Sequence, residues 1–224
     1  DTFATYFGGS FGLSNLSDYA FGSSSGVGVQ TDQVVRSNYS GEFGVALTSM
    51  RGGLRLGVEY LMGRALSGVN GVNSSGTKLF ELDSKVTAIV PMISAEAPLW
   101  KNRVSRVLLG GGAGYAFVSL DQEYEMTAAG TAALGVGDYS EKASARVPTW
   151  KAYVAAETHF VDITTVMLEA GYRSVRVGAL QSTKATAAIS GAQSEGSDLK
   201  NMDGDNRAFD FGGAYVSVFF RFYL

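Results

Sequence analysis

Cysteine is absent from this 224-residue chain, proline occurs only 3 times, and the single histidine is His159. The lack of cysteine excludes a disulfide scaffold, a zinc site built on thiolates and a cysteine nucleophile. An excess of basic charge is lacking too, because 21 acidic residues face 18 lysines and arginines and the formal charge is −3. A nucleic-acid-binding protein needs a basic face, so we expect no nucleic-acid partner. No stretch approaches the ~18 consecutive apolar residues of a membrane-spanning helix.

Glycine and aromatic residues are abundant, with 29 Gly, 11 Tyr and 13 Phe. This composition favours strands and turns, and apolar and polar residues alternate with a period of two in many segments. The first two clear segments, 38–50 and 54–62, each place their apolar residues on one face. That face consists of Tyr39, Phe43, Val45, Leu47, Leu54, Leu56, Val58, Tyr60 and Met62.

Three segments further along the chain also alternate. In segment 82–92 the pattern predicts an apolar outer face of Leu82, Val86, Ala88, Val90 and Met92, opposite Asp83, Lys85 and Thr87. Segment 150–160 places Trp150 and Phe160 on its apolar face, and segment 166–173 places Tyr172 there. The glycine-rich segment 106–120 has no clear alternation, so its faces stay unassigned.

The last segment, GGAYVSVFFRFYL, alternates without interruption up to the C-terminus. Its apolar face consists of Val216, Val218, Phe220, Phe222 and Leu224. Tyr215, Ser217, Phe219, Arg221 and Tyr223 occupy the opposite face. The arginine therefore does not interrupt the apolar run, because it belongs to the other side of a strand.

The connections alternate between short and long. We expect short turns at 49–53, 95–103 and 161–164. We expect long, mobile surface loops at about 14–37, 67–78, 121–146 and 178–207. The strands between them number about eight, which predicts a single antiparallel domain over 1–224 with both termini at the short-turn end.

The aromatic residues decide which face of the sheet points outward. An eight-stranded barrel encloses little more than its own side chains, so its lumen has no room for this much aromatic volume. Facing lipid, the same residues form an apolar band and aromatic girdles. The opposite face then lines the lumen, and its charges are expected to pair there and plug it. This predicted lumen charge network consists of Glu42, Arg55, Glu59, Lys85, Lys151, Glu157, Glu169, Arg173 and Arg221. A soluble barrel with the faces inverted is the alternative.

With these features the chain resembles the small outer-membrane β-barrels of the OmpA/OmpX type. In that family the last strand alternates apolar residues back from a terminal aromatic residue, and the barrel-assembly machinery recognises it. Val216, Val218, Phe220, Phe222 and Leu224 match this spacing as an assembly signal, although leucine stands where phenylalanine is usual. The resemblance implies an all-β, closed, antiparallel up-and-down transmembrane barrel in the bacterial outer membrane. It also implies periplasmic termini, a monomer, and contact with outer-membrane lipid and lipopolysaccharide.

The function that these features predict is a structural or surface-recognition and adhesion role, with a plugged lumen and an unknown ligand at the loops. A narrow channel for small solutes is the alternative, and a lipid-modifying enzyme is a more distant one. We predict no enzyme and no catalytic residues, because His159 has no nucleophile and acid in a suitable arrangement around it. The acidic segment around Asp203, Asp205 and Asp210 lacks EF-hand spacing, so we predict no metal site and no cofactor. The chain begins at Asp1 without a signal-peptide pattern, so we expect that a targeting segment was removed or the chain was trimmed.

Overall fold

The computed structural model describes residues 2–14, 27–30, 37–49, 51–63 and 65–224. Among these residues, no helix has the length and apolar character needed to cross a membrane. The elements are β1 (Thr2–Leu13), β2 (Val27–Gln30), β3 (Ser37–Thr48), β4 (Gly53–Gly63), β5 (Leu66–Asn73), β6 (Lys78–Lys101), β7 (Ser105–Met126), α1 (Ala128–Leu134), β8 (Tyr139–Val161), β9 (Thr164–Ser174), β10 (Arg176–Val177), β11 (Gln181–Ser182), β12 (Thr186–Ala188), β13 (Gly191–Gln193), β14 (Phe209–Asp210) and β15 (Gly213–Tyr223).

Eight of these strands form a closed ring in the order β1, β3, β4, β6, β7, β8, β9 and β15. Every neighbouring pair is antiparallel, and β15 returns to pair with β1 from Ala4 opposite Tyr223 to Gly12 opposite Tyr215. Closure pairs both edges of the sheet, so the ring has no free edge for another chain to extend. The prediction of a closed, antiparallel, up-and-down transmembrane barrel of eight strands is confirmed.

The two ends of the barrel differ in their connections. Short turns at 49–52, 102–104 and 162–163 join strands at one end, which we call the turn end. The start of β1 and the last residue lie there too, since the backbone N–H of Leu224 donates to the carbonyl of Phe3 at 2.9 Å. We call the opposite end, where the long connections lie, the loop end.

Three neighbouring strands are about twice as long as the rest of the ring. β6, β7 and β8 have 24, 22 and 23 residues, whereas β1 and β3 have 12 and β4, β9 and β15 have 11. β4 pairs with β6 only as far as Met62 opposite Thr87, so residues 78–86 of β6 continue past it at the loop end. The long strands therefore form a sheet that projects beyond the rest of the barrel.

The projecting sheet changes the expected loop boundaries. Residues 121–146 do not form a continuous loop, because β7 runs to Met126, β8 starts at Tyr139 and α1 lies between them. Residues 178–207 likewise contain β11, β12 and β13. Cross-strand pairs such as the stacked rings of Tyr124 and Tyr139, 4.5 Å apart between centroids, stabilise these extensions. Most of the expected loop 14–37 lies outside the described residues.

An apolar belt surrounds the outside of the barrel. The aromatic residues expected on this face, Tyr39, Phe43, Tyr60, Trp150, Phe160 and Tyr172, are all exposed on it, which confirms their predicted orientation. On the long strands the belt ends at the loop side in a row of charges, where Lys85, Asp121 and Lys142 lie directly opposite one another. The belt is the part of the surface that faces the hydrocarbon of the bilayer.

The faces predicted for β6 are wrong. Leu82, Val86, Ala88, Val90 and Met92 are buried inside the barrel, and the side chain of Lys85 is exposed on the outside. The interior near the loop end is apolar. In this part of β6 the apolar residues therefore point inward and the polar residues point outward, which is the reverse of the other strands. Lys85 is therefore not a member of the lumen charge network.

Ile93 tests the position of the belt, because it lies on the outer face of β6 midway between Thr87 and Leu99 and is exposed. We expect Ile93→Lys to reduce the free energy of unfolding by about 2–4 kcal/mol, the cost of a cation near the bilayer midplane. Lys85→Ala, on the same face but beyond the belt, should change it by less than about 0.5 kcal/mol. Denaturant titration in lipid vesicles measures both variants. An unchanged free energy for Ile93→Lys would mean that this face does not contact hydrocarbon.

Candidate functional site

The barrel interior has two layers of opposite character. The layer nearer the turn end contains buried charged and hydroxyl groups, and the layer nearer the loop end contains buried apolar side chains. Such a narrow barrel has room only for side chains along its axis, so these two layers determine whether anything can pass or bind inside.

Arg55 of β4 is at the centre of the charged layer and is only 1% exposed. Its Nη2 donates to Glu42 Oε1 at 3.0 Å, and its Nη1 donates to Glu169 Oε2 at 2.8 Å and to Glu96 Oε1 at 3.2 Å. Lys151 Nζ donates to the second oxygen of Glu42 at 2.8 Å. Arg55 thus links carboxylates of three different strands, β3, β6 and β9.

Aromatic rings surround the Arg55 guanidinium on both sides. Its central carbon lies 4.6 Å from the ring centroid of Tyr6 and 4.8 Å from that of Phe219. The Tyr6 hydroxyl donates to Glu42 at 2.8 Å, and the Tyr215 hydroxyl donates to Glu169 at 2.6 Å. These contacts satisfy the carboxylates and hold the cation by cation–π attraction, which is strongest where water is excluded.

A second group of pairs extends the network toward the turn end. Arg221 Nη2 donates to Glu96 at 2.5 Å and Nη1 donates to Glu157 at 3.2 Å. Arg106 Nε donates to the same oxygen of Glu157 at 2.8 Å. Glu96 therefore joins Arg221 to Arg55, and the two groups form one continuous network.

A separate ion pair lies in the same layer toward the loop end. Arg173 pairs with Glu59 and donates from Nη2 to Asn38 Oδ1 at 2.6 Å. The complete set has five carboxylates and five cations. These are Glu42, Glu59, Glu96, Glu157 and Glu169 with Arg55, Arg106, Lys151, Arg173 and Arg221. Balanced pairing is what a closed interior requires, because an uncompensated buried charge costs several kcal/mol.

The structure places eight of the nine residues of the predicted network in this layer, the exception being Lys85. Two members, Glu96 and Arg106, were not predicted from the sequence. Glu96 was missed because residues 95–103 were expected to form a short turn, whereas β6 continues to Lys101 and turns the Glu96 side chain into the lumen. Arg106 was missed because it begins the glycine-rich strand whose faces were not assigned.

The glycines of β7 make room for the network. Gly110, Gly112 and Gly114 alternate on the inner face, and a methyl group at Gly110 would overlap the ring of Tyr153. That ring is buried, and its hydroxyl donates to Glu96 at 3.2 Å. The glycine run is therefore a space requirement of the lumen and explains why the strand shows no ordinary alternation.

The apolar layer is completed by the chain that follows β9. Residues 175–211, which we call the plug segment, fold against the inner faces of β6, β7 and β8. Their contribution to the apolar core consists of Val175, Val177, Leu180, Leu199, Phe209 and Phe211. This packing accounts for the inward apolar residues of β6, which belong to the same buried cluster.

Arg207 fastens the plug segment to the barrel wall. Its Nη1 donates to Glu141 Oε2 at 2.5 Å and also to Gln122, and its Nε donates to Asn201 at 3.0 Å. Burial by itself would lower the pKa of Arg207. Tyr124 and Glu141 raise this pKa by more than burial lowers it, so the pKa of Arg207 lies above its usual range. The guanidinium stays charged and compensates the buried carboxylate.

Other candidates from the sequence have simpler surroundings. The described residues contain no group of three or more His, Cys, Asp or Glu side chains that could hold a metal ion. His159 is exposed at the turn end. Val216, Val218 and Leu224 are exposed on the outer face of the barrel, while Phe220 and Phe222 are half-buried. Their role as an assembly signal stays a prediction.

Gly110 and Gly111 provide a matched test of the lumen packing. We expect Gly110→Ala to destabilise the barrel by about 1–3 kcal/mol, because the methyl group displaces Tyr153 from its contact with Glu96. At Gly111 the nearest atom to a new methyl carbon is the Lys151 carbonyl oxygen at 3.4 Å, an ordinary contact. Gly111→Ala should therefore stay within about 0.5 kcal/mol of the parent. Equal effects in urea unfolding would show that the inner glycines are not a packing requirement.

Comparison with known proteins identifies the architecture. No protein-family model matches the chain, and no curated protein sequence matches it. Among solved structures, a major outer membrane protein from Thermus thermophilus matches with a TM-score of 0.54 and 13% identity, covering 99% of both chains.

Two further structures match with lower scores. Ail, the attachment invasion locus protein of Yersinia pestis, has a TM-score of 0.49 and 10% identity, covering 99% of this chain and 98% of its own. The outer membrane protein OprG from Pseudomonas aeruginosa has a TM-score of 0.48 and 11% identity, covering 100% and 95%. The ring closure, the apolar belt and the likeness to the Thermus protein agree: this chain has the fold of a small outer-membrane β-barrel.

Proposed function

We propose that this protein is an integral barrel of the bacterial outer membrane whose lumen is closed, and that it serves a structural or surface-recognition role through its loop end. The observation that carries the proposal is the pairing of the buried charges, together with the apolar cluster that lies on their loop-end side. A barrel with this interior offers solutes no ready path, so its function lies at its surfaces.

The charged layer opposes conduction through its pairing. Glu42, Glu96 and Glu169 all contact Arg55, and the last two are at most 2% exposed in their side chains. A permeating ion would have to separate such pairs inside a narrow lumen, and an uncompensated buried charge costs several kcal/mol. The network therefore supports a closed barrier.

The apolar layer opposes conduction in a different way. Leu61 and Val90 of the wall and Phe211 of the plug segment are less than 1% exposed. Hydrophobic constrictions block ions because water leaves them. Two barriers in series make closure of the lumen less dependent on either one.

The orientation follows from the lengths of the connections. Barrels of this class have short periplasmic turns and longer extracellular loops. We therefore place the turn end and both termini in the periplasm and the loop end outside the cell. The row just above the belt, with Lys85, Asp121 and Lys142, then lies at the depth of lipopolysaccharide phosphates, which its two lysines can contact. The assembly machinery that reads the last strand is a further proposed partner.

The loop end has the features of a recognition surface. The projecting sheet of β6, β7 and β8 presents a polar outer face, and several of its acidic residues lie on neighbouring strands. Glu81 is opposite Glu125, and Asp83 is opposite Glu123. Like charges directly opposite each other destabilise a sheet slightly, so the strands carry a surface that folding alone does not require. We propose that this surface contacts a ligand whose identity is not encoded in any recognisable motif.

Single-channel recording of the refolded protein in a planar bilayer tests the closed lumen. We expect no steady openings, because both layers of the interior are filled. A heat-dependent shift on a denaturing gel verifies the folded barrel beforehand, and a porin recorded in the same bilayer shows that openings would be detected. Steady openings from the verified barrel would contradict the proposal and establish a narrow channel instead.

A further inference from the structure

A cavity opens at the turn end, directly beside the charge network. Its volume is about 290 Å³, close to the lower limit of ~300 Å³ for small-molecule sites. The turn at 102–104 and the end of β8 form one wall, and Thr2, Thr48 and Ser49 form the other. We call this cavity the turn-end pocket. The turn-end pocket is part of neither the closed lumen nor the surface at the loop end.

The charges around the turn-end pocket are mostly positive. Lys101, Arg103 and Arg106 line it, and Glu157 is the one acidic residue among its lining. Glu157 is already compensated, because it accepts hydrogen bonds from Arg106 and from Arg221 at the base of the pocket. Lys101 and Arg103 have no ion-pair partner within the part of the chain that the structure describes. The pocket therefore carries an excess of cationic charge.

Arg106 is held in place by the network while it lines the pocket. Its Nε and Nη2 contact Glu157 at 2.8 and 2.7 Å, and Nη2 also donates to the Tyr223 hydroxyl at 2.5 Å. A guanidinium has five N–H donors, so these contacts leave donors at Nη1 for a ligand. The Arg106 guanidinium is therefore held in a fixed orientation and still has N–H donors for a ligand.

The turn that carries Arg103 is also fixed. Asn102 Oδ1 accepts hydrogen bonds from the backbone N–H groups of Val104 at 2.9 Å and Ser105 at 2.7 Å. The backbone N–H of His159 donates to the carbonyl of Val104 at 2.9 Å, which joins the turn to β8. A preorganised turn loses little entropy when a ligand binds, so its charges act more strongly than those on a flexible tail.

We propose that the turn-end pocket binds an anionic group, a carboxylate or phosphate, of a small molecule or chain end that approaches from the turn-end side. Ammonium and guanidinium groups make charge-assisted hydrogen bonds to such oxygens, and Lys101, Arg103 and Arg106 supply these groups around the pocket. The anion comes either from a soluble molecule or from an anionic lipid headgroup. This site is separate from the proposed surface role and from closure of the lumen.

Calorimetric titration of the refolded chain in phosphatidylcholine nanodiscs tests the pocket, with citrate and inorganic phosphate as the probes. We expect saturable binding of at least one probe by the parent protein. The double variant Lys101→Ala, Arg103→Ala should bind at least about tenfold more weakly, because two charge-assisted contacts are lost. Arg51→Ala is the matched control, since Arg51 is exposed in the neighbouring turn and does not line the pocket. It should bind like the parent.

A second set of nanodiscs, containing phosphatidylglycerol, separates the two sources of the anion. If a lipid headgroup fills the pocket, these discs abolish probe binding by the parent, and phosphatidylglycerol co-purifies less with the double variant than with Arg51→Ala. If the ligand is soluble, probe binding persists in both kinds of disc. The proposal is overturned if the parent binds neither probe nor lipid through these residues, or if Arg51→Ala weakens binding as much as the double variant. None of these binding results depends on whether the barrel conducts. Failure of the turn-end pocket proposal can therefore be told apart from failure of the closed-lumen proposal.

Discussion

The contacts of Arg55 with three glutamates hold together the part of the structure on which the rest depends. Glu42, Glu96 and Glu169 come from strands on different sides of the ring, and one guanidinium joins them across the lumen. In a barrel of eight strands the lumen is only as wide as its side chains, so a central cation with three partners can connect opposite walls. The surrounding pairs repeat this arrangement toward both ends. The barrel is thus closed by backbone hydrogen bonds around its wall and by ion pairs through its centre.

The apolar layer above the network explains features that the network alone does not. The plug segment contributes Leu180, Leu199 and Phe211 to the apolar cluster, and Arg207 secures it through a buried ion pair with Glu141. The long strands that form this compartment project past the belt and carry the polar surface to which we assign recognition. At the other end, the network provides the base of the turn-end pocket through Glu157. The interior therefore separates two surfaces, and each can act independently of the other.

The sequence allows the architecture to be predicted because period-two alternation, long aromatic side chains and alternating connection lengths are all local signals. It places Phe43 outward and Arg221 inward correctly, since in both strands polar and apolar residues mark the two faces clearly. In β6 the same period gives the wrong sign, because Val86 and Met92 face an apolar cluster to which residues 175–211 contribute from far along the chain. Lys85 was misplaced for this reason, whereas Glu96 was missed because the turn was expected at 95–103 and β6 runs on to Lys101. Such long-range packing leaves no trace in the local pattern of a strand.

The central claim is that the buried charges act as one coupled network, and a double-mutant cycle on Arg55 and Glu169 tests it most directly. The free energies of unfolding of the parent, Arg55→Met, Glu169→Gln and the double variant are measured by urea titration in lipid vesicles. We expect that Arg55→Met alone costs about 3–5 kcal/mol. We also expect a coupling energy of about 0.5–3 kcal/mol between the two sites. A parallel cycle of Arg55→Met with Arg207→Met, which lies in the other layer, should be additive. Additivity of Arg55 and Glu169 within error would contradict the claim, because it would show that the two buried charges do not stabilise each other.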